Sequence, residues 1–200
     1  MTLRRLASSG SFLTSSWRAP VLAFLAGLLS ATALPPWSFP LGVFGFSLFF
    51  FLIYRTKTIK KGILFVWVFS FGYHLFGLQW ISNALLIDSD QFAWLLPFSL
   101  IGIPALLAII PTLIMPILCK ILIPPFWFPI LASTLWTLSE YLRGHLFTGF
   151  PWNLPAYMLS FSDSIIQTAS LVGAYGLSWL LMLFTAGPTL LFTKEFWHLP

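Results

Sequence analysis

Long apolar runs, separated by short clusters of basic residues, dominate this 200-residue chain. Hydrophobic residues make up 58% of the chain and charged residues only 8%, so a water-soluble globule could not cover itself with polar surface. In hydrocarbon every backbone amide needs an internal partner, and continuous apolar runs favour helices over the alternating strands of a barrel. The sequence therefore predicts an all-α integral membrane protein.

The lengths of the apolar runs predict how often the chain crosses a bilayer. A hydrocarbon core of about 30 Å takes about 20 helical residues. Six runs reach or approach that length, at residues 20–34, 37–54, 62–81, 92–118, 126–147 and 165–192. We predict a bundle of about six transmembrane helices over residues 20–193. A basic, Ser-rich cytoplasmic N-terminus at 1–19 precedes it, and a truncated cytoplasmic end at 194–200 follows it.

The basic residues predict the orientation of this bundle, because cytoplasmic loops collect Lys and Arg. If successive spans alternate in direction, nine of the ten basic residues fall on one side of the membrane, and Asp88, Asp90 and Asp163 fall on the other side. Both termini are therefore predicted to be cytoplasmic. The acid-free first twenty residues, with the small residues 31–33 further on, are also compatible with a cleaved targeting segment.

Composition argues against several classes of function. The formal charge of +5 could suggest a nucleic-acid partner, but the basic clusters form no continuous basic face. Cys119 is the single cysteine and is predicted at the cytoplasmic edge, away from Glu140, His145 and Asp163. No nucleophile, base and orienting group therefore converge, and no catalytic residue is predicted. The histidines and the cysteine lack close ligand spacing, so neither a metal site nor a cofactor is predicted.

The most informative polar residues lie in the fifth run. Glu140 and Arg143 are three residues apart and can form an ion pair on one helical face, together with Trp136 and Phe147. A charge at that depth costs at least about 2.5 kcal/mol on insertion scales, so both should face the bundle interior or a polar cavity. A structural clasp and the lining of a substrate cavity are equal alternatives. His74 lies at a matching depth in the third run, which allows the hypothesis of a hydrogen bond to Glu140.

Three prolines of the fourth run, Pro97, Pro104 and Pro111, recur at intervals of seven residues. This spacing places them on nearly one helical face. Each proline frees a backbone carbonyl one turn earlier, which must find another partner in lipid. The face should therefore point into the bundle or a wet cavity, unless the prolines are merely tolerated.

Four motifs occur in order along the chain, at residues 35–38, 77–80, 140–152 and 173–178. With these motifs the chain resembles the membrane portion of bacterial apolipoprotein N-acyltransferases over most of residues 20–193. The resemblance implies a multi-pass protein of the bacterial cytoplasmic membrane. It also implies an enzyme that transfers a fatty acyl chain from a phospholipid donor to the N-terminal diacylglyceryl-cysteine of a lipoprotein acceptor. The residues themselves and this resemblance together give the substrate-cavity candidates Trp80, Glu140, Arg143, Phe150, Pro151 and Trp152.

The same resemblance implies that catalysis belongs to a nitrilase-like domain with a cysteine, a glutamate and a lysine, which this sequence does not contain. We therefore expect a truncated or split form that is inactive alone and has a separately encoded catalytic domain as a possible partner. Gln79 departs from the asparagine expected before Trp80. Two other functions stay open: a small permease, which Glu140, Arg143 and His74 could serve, and a non-functional gene remnant.

Overall fold

The computed structural model describes residues 17–192, and within this range the chain forms helices and turns with no strand. The all-α prediction is therefore confirmed for these residues. Most of the predicted N-terminal segment and the predicted end at 194–200 lie outside the described range. The α-helices are α1 (Arg18–Ala31), α2 (Phe44–Arg55), α3 (Ile59–Gly77), α4 (Ile81–Leu86), α5 (Ser89–Phe92), α6 (Ile103–Leu107), α7 (Ile109–Ile114), α8 (Trp127–His145), α9 (Asp163–Ile166) and α10 (Ala169–Ala186).

Shorter helical segments connect or extend these helices. The fourth apolar run is a chain of short pieces rather than one regular helix, because its prolines cannot continue the backbone ladder. Pro104 and Pro111 are buried whereas Pro97 is exposed, so two of the three share the predicted inward face. The 3-10 helices are Pro40–Val43, Ala93–Leu95, Met115–Cys119, Pro155–Leu159 and Gly187–Phe192, and a π-helix forms at Phe98–Gly102.

α1 and α3 cross with their backbones in close contact. A Cβ atom at Gly27 would collide with the backbone carbonyl of Phe69, and one at Gly72 would lie 2.7 Å from the carbonyl oxygen of Phe24. Small residues let two helix backbones approach in this way, and the close approach maximises van der Waals contact. The first and third apolar runs therefore pack directly against each other.

An aromatic core holds α2, α3 and α8 together. Phe49 of α2 stacks on Phe69 of α3 with ring centroids 4.0 Å apart, and Phe46 meets the edge of Trp136 at 4.9 Å. These four side chains are fully buried. Offset-stacked and edge-to-face pairs of this kind fix the rotation of the helices that carry them. The buried face of α8 that contains Trp136 is thereby turned toward the bundle interior.

Contacts between the helices show that neighbouring runs alternate in direction. The first and second runs are antiparallel, as are the third and fourth and the fifth and sixth. The pairs that establish this are Gly42 with Thr32, Gly45 with Ala26, Gly62 with Cys119, Gly144 with Tyr175 and Thr134 with Trp179.

This alternation brings the basic residues of the described range to one end of the bundle, except for Arg143. That basic end carries Arg18, Arg55, Lys57, Lys60, Lys61 and Lys120. The turn after α1, the end of α3, the end of α8 and the start of α10 lie at the other end, which we call the cleft end for reasons given below.

Two helical stretches, Ser89–Cys119 and Ala169–Phe192, are long and apolar enough to cross a membrane by length and composition. Arg18–Ala31 and Pro40–Arg55 are apolar but shorter. α3 and α8 contain charged residues that lower their hydropathy. Large apolar side chains such as Leu106, Leu113 and Phe184 are 62–79% exposed on the outside of the bundle. The helices therefore lie where the apolar runs predict them, whereas six membrane crossings stay a prediction.

Candidate functional site

The predicted ion pair forms in the last turns of α8. Arg143 Nη2 donates to a carboxylate oxygen of Glu140, and each residue is only 2% exposed. Trp136, one turn earlier, lies on the same buried face. The prediction that Phe147 shares this face is wrong, because α8 ends at His145 and Phe147 lies beyond it, fully exposed and with a φ of 56°.

Arg143 also holds the loop that follows α8. Its Nη1 donates to two backbone carbonyl oxygens, that of Phe150 at 2.8 Å and that of Trp152 at 2.6 Å. The Phe150 N–H donates in return to the Arg143 carbonyl at 2.8 Å. A guanidinium carries five N–H donors in a rigid fork, so one side chain can neutralise a carboxylate and bind a loop at once. Residues 146–153, which we call the clamp loop, therefore fold back over the end of α8.

A glycine and a tyrosine give the clamp loop its remaining constraints. Gly149 has a φ of 77°, and a Cβ there would collide with the Gly144 carbonyl. Only glycine meets both conditions without strain. At the far end of the loop, the Tyr73 hydroxyl of α3 donates to the Asn153 carbonyl at 2.7 Å. The loop is thus attached both to the helix before it and to α3.

The side chain of Trp152 meets Trp80, which follows the end of α3. The two indoles lie edge to face, with centroids 5.4 Å apart and an interplanar angle of 62°. Trp80 also lines a cleft of about 420 Å³ between the turn after α1, the end of α3 and Leu100. Trp37, Phe76, Gln79 and Asn83 contribute to its wall. Among residues 17–192, no ionisable side chain lines this cleft, whose surface combines indoles, prolines and amides.

The six candidate residues predicted from the sequence lie near one another at the cleft end, but they differ in what they contact. Trp80 lines the cleft, and Trp152 packs against Trp80. Phe150 and Trp152 offer their carbonyls to Arg143, Glu140 lies behind Arg143 in the bundle, and Pro151 is exposed between the two carbonyl acceptors. Of the six, only Trp80 is among the residues lining the cleft.

The predicted hydrogen bond between His74 and Glu140 does not form. His74 Nδ1 donates instead to the Ser70 carbonyl of its own helix at 2.8 Å, and Nε2 has no hydrogen-bond partner among the described residues. Equal depth in two helices does not give equal rotation about their axes. The buried Trp136 Nε1 and Asn153 Nδ2 are likewise without partners in this part of the chain.

Sequence reasoning missed two residues that position the clamp loop. Tyr73 lies within an aromatic stretch of α3 and is indistinguishable in sequence from the core rings beside it. Asn153 directly follows the 140–152 motif and has a φ of 57°, which asparagine tolerates better than most residues. For Asn153, its place directly after the motif is therefore the one sequence feature that points to it, and Tyr73 has no such feature.

Cys119 lies away from this site, as predicted. It is buried at the basic end, where a Cβ at Gly62 would lie 2.6 Å from its Sγ. Among residues 17–192, no three His, Cys, Asp or Glu side chains group as metal ligands. The cleft end thus provides a cavity with apolar walls and amide groups that can form hydrogen bonds. Within the described range no thiol lies beside it.

Comparison with known sequences shows the family to which this chain belongs. The family model described as the apolipoprotein N-acyltransferase N-terminal domain matches residues 26–187. The chain belongs to this family. The match includes the whole clamp loop and every residue that lines the cleft.

Full-length relatives extend this family assignment. The chain is 37% identical over 210 residues to the apolipoprotein N-acyltransferase of Rhodopseudomonas palustris, with 99% of this chain and 39% of the relative covered. It is 31% identical over 185 residues to that of Rickettsia prowazekii (92% and 37% covered) and 36% identical over 192 residues to that of Brucella suis (90% and 36% covered). The chain therefore spans less than two-fifths of these acyltransferases. The predicted resemblance to the N-terminal portion alone is confirmed.

Proposed function

We propose that this chain is the membrane portion of an apolipoprotein N-acyltransferase, a transferase that moves a fatty acyl chain from a phospholipid to the N-terminal diacylglyceryl-cysteine of a lipoprotein. The observation that carries the proposal is the family match over residues 26–187. It includes both features of the cleft end, the clamp loop and the Trp80 wall.

The proposed location is the bacterial cytoplasmic membrane, crossed about six times, with the basic end in the cytoplasm and the cleft end outside. Three observations support this arrangement. Successive helical runs alternate in direction, the basic residues of the described range other than Arg143 gather at one end, and large apolar side chains cover the outside of the bundle. Basic residues remain on the cytoplasmic side during insertion, and lipid is the solvent that accepts such an apolar exterior.

In this proposal the bundle receives lipid and a nitrilase-like domain outside this sequence performs the chemistry. None of the described residues that line the cleft is ionisable, so the cleft suits the uncharged ester and acyl regions of the phospholipid donor or the diacylglyceryl acceptor better than a phosphate. Phe150, Pro151 and Trp152 on the clamp loop would border its entrance. Acyl-thioester formation needs a reactive thiol, and Cys119 is buried at the opposite end.

The ion pair gives no support to the permease alternative. Glu140 and Arg143 bind each other and the clamp loop, and both are almost completely buried. Charges that serve a transport path line a water-filled cavity. Nothing among the described residues favours the gene-remnant alternative over the acyltransferase.

A chimeric enzyme tests the proposed function. Residues 20–193 replace the matching N-terminal part of the Rhodopseudomonas palustris relative, and acyl transfer from phospholipid to a diacylglyceryl-cysteine peptide is measured in membranes. We expect the chimera to be active and the 200-residue chain alone to form no thioester and transfer no acyl group. An inserted but inactive chimera beside an active parent would contradict the assignment of the bundle. Thioester formation by the chain alone would contradict the proposal that the bundle binds lipid while a nitrilase-like domain performs the chemistry.

A further inference from the structure

The Arg143 side chain has more donors committed to the clamp loop than to its ion-pair partner. One nitrogen binds Glu140, whereas the other binds the carbonyls of Phe150 and Trp152. We propose that Arg143 is a positioning residue: it fixes the clamp-loop backbone so that the Trp152 indole stands against Trp80 at the edge of the cleft. The consequence for acyl transfer rests on the proposed function, but the loop position does not.

The Trp152 side chain has little else to hold it in place. The residue is 53% exposed, its indole makes one ring contact, with Trp80, and its N–H has no hydrogen bond within the described residues. The position of a half-exposed indole with one aromatic contact depends strongly on the backbone that carries it. The backbone at this position is bound by the 2.6 Å hydrogen bond from Arg143 and, one residue later, by the Tyr73 hydroxyl.

The geometry requires the shape of arginine as well as its charge. Nη1 donates to two loop carbonyls, and Nη2 donates to the Glu140 carboxylate. The three acceptors are thus distributed around the planar guanidinium group. A lysine would place one compact ammonium near the same charges and could not reach all three acceptors in these directions. Arg143→Lys therefore retains the ion pair but loosens the loop.

A simple clasp between Glu140 and Arg143 is the alternative explanation, and two variants distinguish it. Glu140→Gln removes the charge pair but leaves both loop hydrogen bonds of Arg143 in place. Arg143→Lys keeps the charge pair but loses the fork. A clasp makes Glu140→Gln the more damaging change for the site, whereas a positioning role makes Arg143→Lys the more damaging change for the loop.

The loop position is measured on the purified 200-residue chain in lipid nanodiscs. Spin labels are attached to Thr148→Cys in the clamp loop and Leu86→Cys on the exposed side of α4, with Cys119→Ser removing the native thiol. Their distance distribution is recorded by pulsed electron paramagnetic resonance. Arg55→Lys at the basic end is the matched control.

We expect the distribution to broaden about twofold in Arg143→Lys, because a point charge replaces a rigid fork, and to keep its parental width in Glu140→Gln and Arg55→Lys. Equal widths in the parent and Arg143→Lys would overturn the proposal, and so would a broadening in Glu140→Gln as large as that in Arg143→Lys. Circular dichroism confirms that each variant is folded.

The second readout uses the chimeric enzyme. With the loop released, we expect KM for the phospholipid or the acceptor peptide to rise about tenfold while kcat changes little, because the chemical groups lie elsewhere. Unchanged KM in an active chimera with a broadened loop would overturn the link between Arg143 and the cleft. An inactive chimera without any Arg143 change would instead refute the proposed function and leave the distance result standing.

Discussion

Removal of the Arg143 side chain should be among the most destabilising single changes in the bundle. Arg143→Met leaves the Glu140 carboxylate, 2% exposed, without its counter-charge and deprives the Phe150 and Trp152 carbonyls of their donor. Breaking a buried ion pair on one side costs about 3–5 kcal/mol. We expect the free energy of unfolding to fall by an amount in that range.

Glu140→Gln should cost less. The amide oxygen of the glutamine can still accept from Nη2, and Arg143 keeps its two loop carbonyls, so the expected loss is about 1–3 kcal/mol, as for one charge-assisted hydrogen bond. The double variant carries no buried carboxylate to leave unpaired. It should therefore be less destabilised than the sum of the single variants, by about 1–3 kcal/mol.

The measurement is reversible unfolding of the purified chain in mixed micelles, with increasing SDS and helicity followed by circular dichroism. All four proteins of the cycle are compared at one lipid and detergent composition. Additive losses would refute the reasoning, because they would mean that Glu140 and Arg143 do not depend on each other in the folded bundle.

Three further predictions concern packing, topology and the clamp loop. Gly27→Ala places a methyl group against the Phe69 carbonyl and should lower stability by about 1–3 kcal/mol in the same unfolding assay, whereas Gly187→Ala, where a Cβ meets nothing within 4 Å, should be close to neutral. In a Cys119→Ser chain expressed in intact cells, Lys57→Cys and Lys60→Cys should resist a membrane-impermeant maleimide that labels Leu86→Cys, and labelling of the two basic-end cysteines would reverse the proposed orientation. In the chimera, Trp152→Ala should reduce acyl transfer more than Trp94→Ala, which removes a 75% exposed indole; equal effects would exclude a specific role for the Trp152 side chain.

The apolar runs were sufficient to place the helices because lipid leaves the backbone few alternatives. All six predicted runs contain helix, and the i, i+3 spacing of Glu140 and Arg143 correctly predicted an ion pair. The length of the proline-rich fourth run predicts one span, but hydropathy does not show where the helix within that span is interrupted. Its division into short α, 3-10 and π segments depends on where each proline interrupts the ladder.

The two wrong sequence predictions concern properties that the helical period does not determine: where a helix ends, and how two helices are rotated relative to each other. The helical period, extended past His145, predicts Phe147 on the Glu140 face, but the backbone has already left the helix there. Equal depth in the two runs predicts a hydrogen bond between His74 and Glu140, but such a bond also depends on the rotation of both helices about their axes. Packing of large side chains, such as Trp136 against Phe46, sets that rotation, and a single sequence does not contain it.

The clamp loop gives a physical reason for the motif at residues 140–152. Its glycine at 149 permits a positive φ against the Gly144 carbonyl, its arginine supplies donors to two loop carbonyls, and its final tryptophan meets Trp80. A neutral side chain at position 143 would avoid the insertion penalty of a charge but could not bind three acceptors at once. The motif therefore forms one folded unit, in which a buried arginine binds the loop whose tryptophan contacts the cleft residue Trp80. Substitutions that remove the Arg143 fork should accordingly alter lipid handling through the loop, even though this side chain does not reach the cleft wall.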